Sequence, residues 1–127
     1  MPTKFEPDFQ DGTASDFVPL IQTASQQSLS GAGAINTSSY YTKWTTTGAQ
    51  AGTLANGSRT GQLKKIQLIV DGGNGTLTPT NFVDGSTITF ADAGDFATLV
   101  WLGTTKGGWK LIESGNDADG ATSPAVA

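Results

Sequence analysis

The sequence predicts an all-β fold, a small antiparallel sandwich or barrel-like module with an extended N-terminal arm. Three observations lead there. From Gly61 to Ile112 one pattern repeats, a short run of β-formers followed by a turn built from Gly, Asp or Asn. The 127 residues are only 14% charged and 36% hydrophobic, yet include 17 glycines and many Thr and Ser, the composition of a turn-rich β protein. Leu, Glu, Lys and Ala nowhere combine at helical spacing, so helix is a minor component at most. The length fits one domain. It divides into an N-terminal arm (residues 1–30), a β domain (residues 31–113) and a flexible C-terminal tail (residues 114–127).

The arm carries Glu6, Asp8, Asp11 and Asp16 against Lys4 alone, and Pro2, Pro7 and Pro19 preclude a continuous helix. Phe5, Phe9 and Phe17 are spaced along it, although disordered segments are usually poor in aromatics. Exposed apolar anchors mark interaction sites. The arm is therefore expected to dock on a neighbouring subunit or host surface through Phe5, Phe9, Phe17, Leu20 and Ile21, the alternative being that it packs on its own domain. The polar stretch from Thr23 to Ala34 reads as a loop into the domain.

Between Ile35 and Thr47, β-branched and aromatic residues suggest one or two strands, and Thr53-Leu54 marks a short strand between turn signals at Gly48, Gly52 and Asn56-Gly57. From Gln62 to Val70, Ile66, Leu68 and Val70 share one face and Leu63 and Ile69 the other. This strand is expected to begin half-exposed, with Lys64 and Lys65 on a solvated edge, and to end buried on both sides. Asp71 to Gly75 is a strong reversal, because Gly and Asn tolerate positive φ. Leu77 lies in a Thr-rich partner strand that Pro79 ends or confines to an edge. Thr87 to Phe90 alternates, with Ile88 and Phe90 inward. Phe96 to Leu102 is the most apolar run and predicts a central strand; Gly103 to Gly108 turns the chain back, and Trp109 to Ile112 closes the module. After Glu113 the small residues predict a loose tail. The apolar set is modest, so oligomer contacts are a natural supplement to the core.

Little reactive chemistry is offered. With no Cys and no His, disulfides, thiolate metal sites and the commonest general base are excluded. A net charge of −4 without a basic stripe argues against nucleic acid. Asp92 with Asp95, and Asp117 with Asp119, could invite Ca²⁺, but the downstream bidentate Glu of a calcium loop is missing and Asp beside Gly is ordinary turn chemistry. The two glutamates, Glu6 and Glu113, place no carboxylate pair for glycoside hydrolysis, and a serine triad lacks its His. Gly103 to Gly108 lacks the spacing of a phosphate loop and reads as a hairpin turn. Tyr40, Tyr41 and Trp44 are candidate exposed aromatic contacts that could stack on sugars, with Trp44 the foremost, whereas Trp101 belongs in the core. No catalytic residue, metal or cofactor is expected. The opening residues carry no signal-peptide pattern and nothing reaches the length of a membrane span, so folding in a cytoplasm is expected.

The segment from Thr45 to Ile112 resembles a module of structural proteins in tailed bacteriophages. The matching positions are Thr45 to Ala49, Gly61-Gln62, Val70 to Gly73, Leu77 to Pro79, Thr87 to Phe90, Phe96 to Leu102 and Trp109. They span about half the chain and leave out the arm and the tail. One module with an arm, without coiled coil or repeats, resembles a head decoration (cement) protein more than a fibre. The resemblance implies a homotrimer on the capsid surface, made in the host bacterial cytoplasm, whose arms clamp the major capsid protein, often by adding a strand to a sheet edge. Its alternative is a tail or fibre module that binds a host receptor or glycan. Neither nucleic acid nor membrane is an expected partner.

Overall fold

The structure, a computed structural model, describes residues 25–120 and 122–127. The expected arm anchors Phe5, Phe9, Phe17, Leu20 and Ile21 lie outside them. The described residues contain no α-helix, and the all-β sandwich is as expected. Its strands are β1 Gln27–Ser30, β2 Gly33–Ile35, β3 Tyr41–Thr45, β4 Gln50–Leu54, β5 Leu63–Val70, β6 Gly75–Pro79, β7 Ile88–Phe90, β8 Asp95–Trp101, β9 Trp109–Asn116 and β10 Ala125–Val126. They form two five-stranded sheets, ordered β1-β3-β5-β8-β9 and β10-β7-β6-β4-β2.

The pairing is mixed rather than purely antiparallel. β1-β3-β5 and β2-β4-β6 are parallel ladders, and only the later pairs are antiparallel. Parallel neighbours need a long crossover between them. Here the crossover is itself a strand of the opposite sheet: β2 connects β1 to β3, and β4 connects β3 to β5. The first six strands thus wind as three stacked rungs, and β7 to β10 close the sandwich by antiparallel returns. Alternation of side chains has period two in either pairing, which is why the sequence did not distinguish them.

The rungs also move both domain boundaries. Residues 27–30, assigned to the arm, are β1 and pair in register with Thr42–Thr45. The tail is not loose along its length: β9 continues to Asn116, and Ala125-Val126 pair with Thr89-Ile88. Pro79 does end β6, on an inner strand where its missing N–H falls at the last position.

Between the sheets, Trp44 sits edge-on to Phe90 at 5.9 Å and Trp101 edge-on to Trp109 at 5.4 Å, the geometry favoured by ring quadrupoles. Trp44 is 0% exposed, which corrects its expected place among the surface aromatics. It shares the inward phase with Thr42, and the facing strands make room for its indole with Gly52 and Gly75. A Cβ at Gly75 would lie 2.9 Å from the ring. Its Nε1–H donates to Gly31 O at 2.8 Å, so the buried indole has no unpaired donor. β5 begins half-exposed as expected but does not end buried on both sides: Ile66 and Leu68 are buried, while Ile69 and Val70 emerge at its end. Lys64, expected on a solvated edge, is buried because β5 lies mid-sheet and Lys64 shares the phase of Ile66.

The crossover between β5 and β6 is packed against the crossover between β3 and β4. A Cβ on Gly72 would stand 2.2 Å from the backbone oxygen of Thr46, whereas one on Gly48 meets nothing within 4 Å. Gly72→Ala should therefore cost about 1–3 kcal/mol through forced backbone movement. Gly48→Ala should stay within about 0.5 kcal/mol of wild type. Urea unfolding followed by tryptophan fluorescence compares them, and equal midpoints would contradict the stacked-turn account.

Candidate functional site

Three polar clusters remain once the apolar core is removed. The first lies at the end of the sandwich where the crossover from Asn36 to Tyr40 folds over the start of β5. Lys64 alternates inward there and is 0% exposed. Its Nζ donates to Ser39 O at 2.9 Å, Ser39 Oγ at 3.3 Å and Asn36 Oδ1 at 3.3 Å. Ser39 in turn donates its hydroxyl (2.7 Å) and its backbone N–H (3.2 Å) to Asn36 Oδ1. All three acceptors of the amine are neutral. Burial in their midst disfavours the ammonium and pushes Lys64 down to about 8.

The second cluster lies at the opposite end. Asp95 opens β8 in the inward phase of Ala97 and Leu99 and is fully buried. Its Oδ2 accepts the N–H groups of Ala91 (3.0 Å) and Asp92 (3.1 Å), and its Oδ1 accepts Asn116 Nδ2 (2.8 Å) and Thr122 Oγ1 (3.3 Å). Asn116 also donates to Ala93 O (3.1 Å) and accepts from the N–H groups of Ala118 (2.7 Å) and Asp119 (3.0 Å). Both residues thus brace the β7–β8 and β9–β10 crossovers against one another. The carboxylate and amide take the backbone donors that tight turns would otherwise leave orphaned.

The third cluster covers the outer face of the first sheet. Tyr41 donates its hydroxyl to Gln67 Oε1 at 2.5 Å, and Gln67 Nε2 donates to Asp117 Oδ2 at 2.7 Å. Burial and the nearby Asp117 charge raise the Tyr41 phenol above its ordinary 10.0. Beside them Lys65 Nζ stands 4.5 Å from the centroid of Phe96, a cation–π contact. Thr98, 5% exposed on the same face, has a hydroxyl without a partner.

Of the aromatics expected at the surface, Tyr40 is 43% exposed, Tyr41 is half-buried and tied to Gln67, and Trp44 is in the core. The three do not make one stacking platform. Two of the carboxylates singled out for Ca²⁺ are engaged otherwise, Asp95 by four donors and Asp117 by Gln67, and the described residues contain no group of three or more His, Cys, Asp or Glu able to hold a metal. Gly103 to Gly108 is the expected turn, a single 3-10 turn at Thr104–Lys106 bounded by the positive-φ glycines Gly103 and Gly107. Sequence reasoning missed Gln67 and Asn116 and gave Lys64 and Asp95 other places, a solvated edge and an ordinary turn. Phase could have found two of them, since Lys64 falls in step with Ile66 and Leu68, and Asp95 with Ala97 and Leu99. No helix among the described residues is long and apolar enough to cross a membrane.

The chain matches no family model and no curated protein.

The raised Tyr41 value has a signed consequence. The folded chain holds this proton more tightly than the unfolded chain, so stability is fully present below the ordinary value of 10.0 and falls as pH rises past it. Tyr41→Phe should flatten that alkaline loss and remove a late-titrating phenol from the ultraviolet absorbance titration. An unchanged alkaline titration in Tyr41→Phe would contradict the assignment. For the second cluster, Asp95→Ala leaves several buried donors unpaired and should cost about 1–3 kcal/mol in urea unfolding.

Proposed function

We propose that the chain is a structural subunit of a tailed-bacteriophage virion, a capsid decoration or cement protein. In this reading it forms homotrimers, binds the major capsid protein on the outside of the head and stabilises the shell. The observation that carries it is how the sandwich spends its polar groups. Asp95, Asn116, Gln67 and Lys64 bind crossovers and one another, which braces the sandwich from within. Such bracing suits a part that must keep its shape under load.

The acidic, phenylalanine-bearing sequence of residues 1–24 joins this body at β1, an edge strand of the first sheet. Three arms on one trimer would multiply a modest single contact into high avidity, because each further arm binds at the raised effective concentration set by the first. Phe5, Phe9, Phe17, Leu20 and Ile21 are the proposed anchors, and no reacting group is needed for the task.

Removing residues 1–21 should leave a sandwich folded by circular dichroism that no longer co-sediments with decoration-free heads. Saturation of those heads by the truncated protein would rule out the arm as the grip. Full-length protein that ignores heads but binds a glycan array would move the assignment to a receptor-binding tail or fibre module.

A further inference from the structure

We propose that Lys64 and Asn36 join in an intramolecular isopeptide bond, formed by the folded chain itself with release of ammonia. The groups this step requires meet in one place. The nucleophile is the Lys64 amine, fully buried on β5 between β3 and β8. The electrophile is the Asn36 carboxamide, whose Oδ1 lies 3.3 Å from Lys64 Nζ. Its acyl carbon is one C=O bond, about 1.23 Å, from that oxygen, so a small rotation of the Asn36 side chain brings it into attacking range. Ser39 stands between them, its Oγ 3.3 Å from the amine and 2.7 Å from Asn36 Oδ1.

Each feature has a chemical task. Burial among neutral acceptors depresses the amine to about 8, so roughly one molecule in ten carries the uncharged nucleophile at neutral pH. An exposed lysine would offer far less. The N–H and O–H of Ser39 both donate to Asn36 Oδ1, at 3.2 and 2.7 Å, and remain in place as negative charge develops on that oxygen. Nζ adds to Cγ, the proton that the amine sheds is taken up by Nδ2, and the Cγ–Nδ2 bond breaks to free ammonia, while the Ser39 O–H stays on the oxyanion. One C–N bond forms, one breaks, and nothing is oxidised or reduced. The half-buried position of Asn36 leaves the ammonia a way out.

The physical incentive is the amine itself. A buried cation without a counter-charge is costly, and conversion to a neutral amide removes that cost. The new bond would tie the Asn36–Tyr40 crossover to the central strand, covalently closing the second rung. This inference is independent of the capsid reading, since it concerns the sandwich alone.

Intact-mass spectrometry of the denatured full-length chain tests it. The expected mass is lower than that of the sequence by one ammonia, with a branched Asn36–Lys64 peptide found by tandem fragmentation. Lys64→Arg and Asn36→Ala should each restore the unmodified mass, and Ser39→Ala, which keeps both reacting groups, should slow the step roughly a hundredfold. A folded wild-type protein that keeps its full mass after prolonged incubation overturns the proposal. So does an ammonia loss that survives Lys64→Arg, which would place it at a succinimide of Asn56-Gly57 or Asn74-Gly75.

Discussion

A chain that changes sheet after almost every strand must reverse its backbone repeatedly at the same end of the sandwich. Those reversals cannot be treated as independent loops, because each one is the hydrogen-bonding partner of the next. Gly31 N–H donates to Thr45 O (2.8 Å), Thr46 N–H to Val70 O (3.0 Å), Gly94 N–H to Leu68 O (2.7 Å) and Asp117 N–H to Gly94 O (3.0 Å). The buried Thr46 hydroxyl stitches two of them, accepting from Gly72 N–H at 3.1 Å and donating to Gly73 O at 2.6 Å. Close stacking requires backbone against backbone, which is why Gly72 and Gly73 leave no room for a Cβ. The core follows from the stack. Trp44 fits between the sheets because Gly31 receives its indole N–H and Gly52 and Gly75 vacate the facing layer.

The same winding decides which edges are open. The last strand of the first sheet, β9, is covered over its first half. Val83 N–H donates to Trp109 O (2.8 Å), and Asp84 accepts Leu111 N–H (2.8 Å) while pairing with Lys110 at 2.6 Å. That ion pair holds the Asp84 carboxyl below its ordinary value, but both partners are solvated and its contribution to stability is small. Its larger role is to occupy an edge that would otherwise invite pairing with another chain. At the other side of the sandwich, β1 and β2 belong to the first rung and pair on one side only among the described residues. Among the described residues, β1 is thus both paired on one side only and the strand that follows the apolar, acidic sequence of residues 1–24 in the chain. A grip by strand addition and a rung with open edges require the same backbone chemistry, and the proposed function draws on that coincidence.

What could be read from the residues, and what could not, follows from how burial is written into a β sequence. Ile88 and Phe90 alternate with threonines on a strand with one buried face, and they were legible. So was the apolar run ending in Trp101, and so were the Asp-Gly and Asn-Gly reversals, whose backbone needs are local. β1 and β2 were not, because Gln27 to Ile35 is short, small and polar, and its strand character comes from neighbours distant in sequence. β10 escaped for the same reason. Trp44 looked exposed because threonines surround it, yet Thr42 is fully buried with its hydroxyl donated to Gln27 Oε1 at 2.9 Å. In a sandwich whose inner face carries hydrogen-bonded Thr, Asn, Asp and Lys, polarity stops marking the surface and strand phase becomes the better guide. Lys64 is the extreme instance: its phase places it in the interior while its charge argues for solvent. Its phase prevails because Ser39 and Asn36 replace the water it loses. A residue held against its own solvation preference is poised for chemistry that removes the charge.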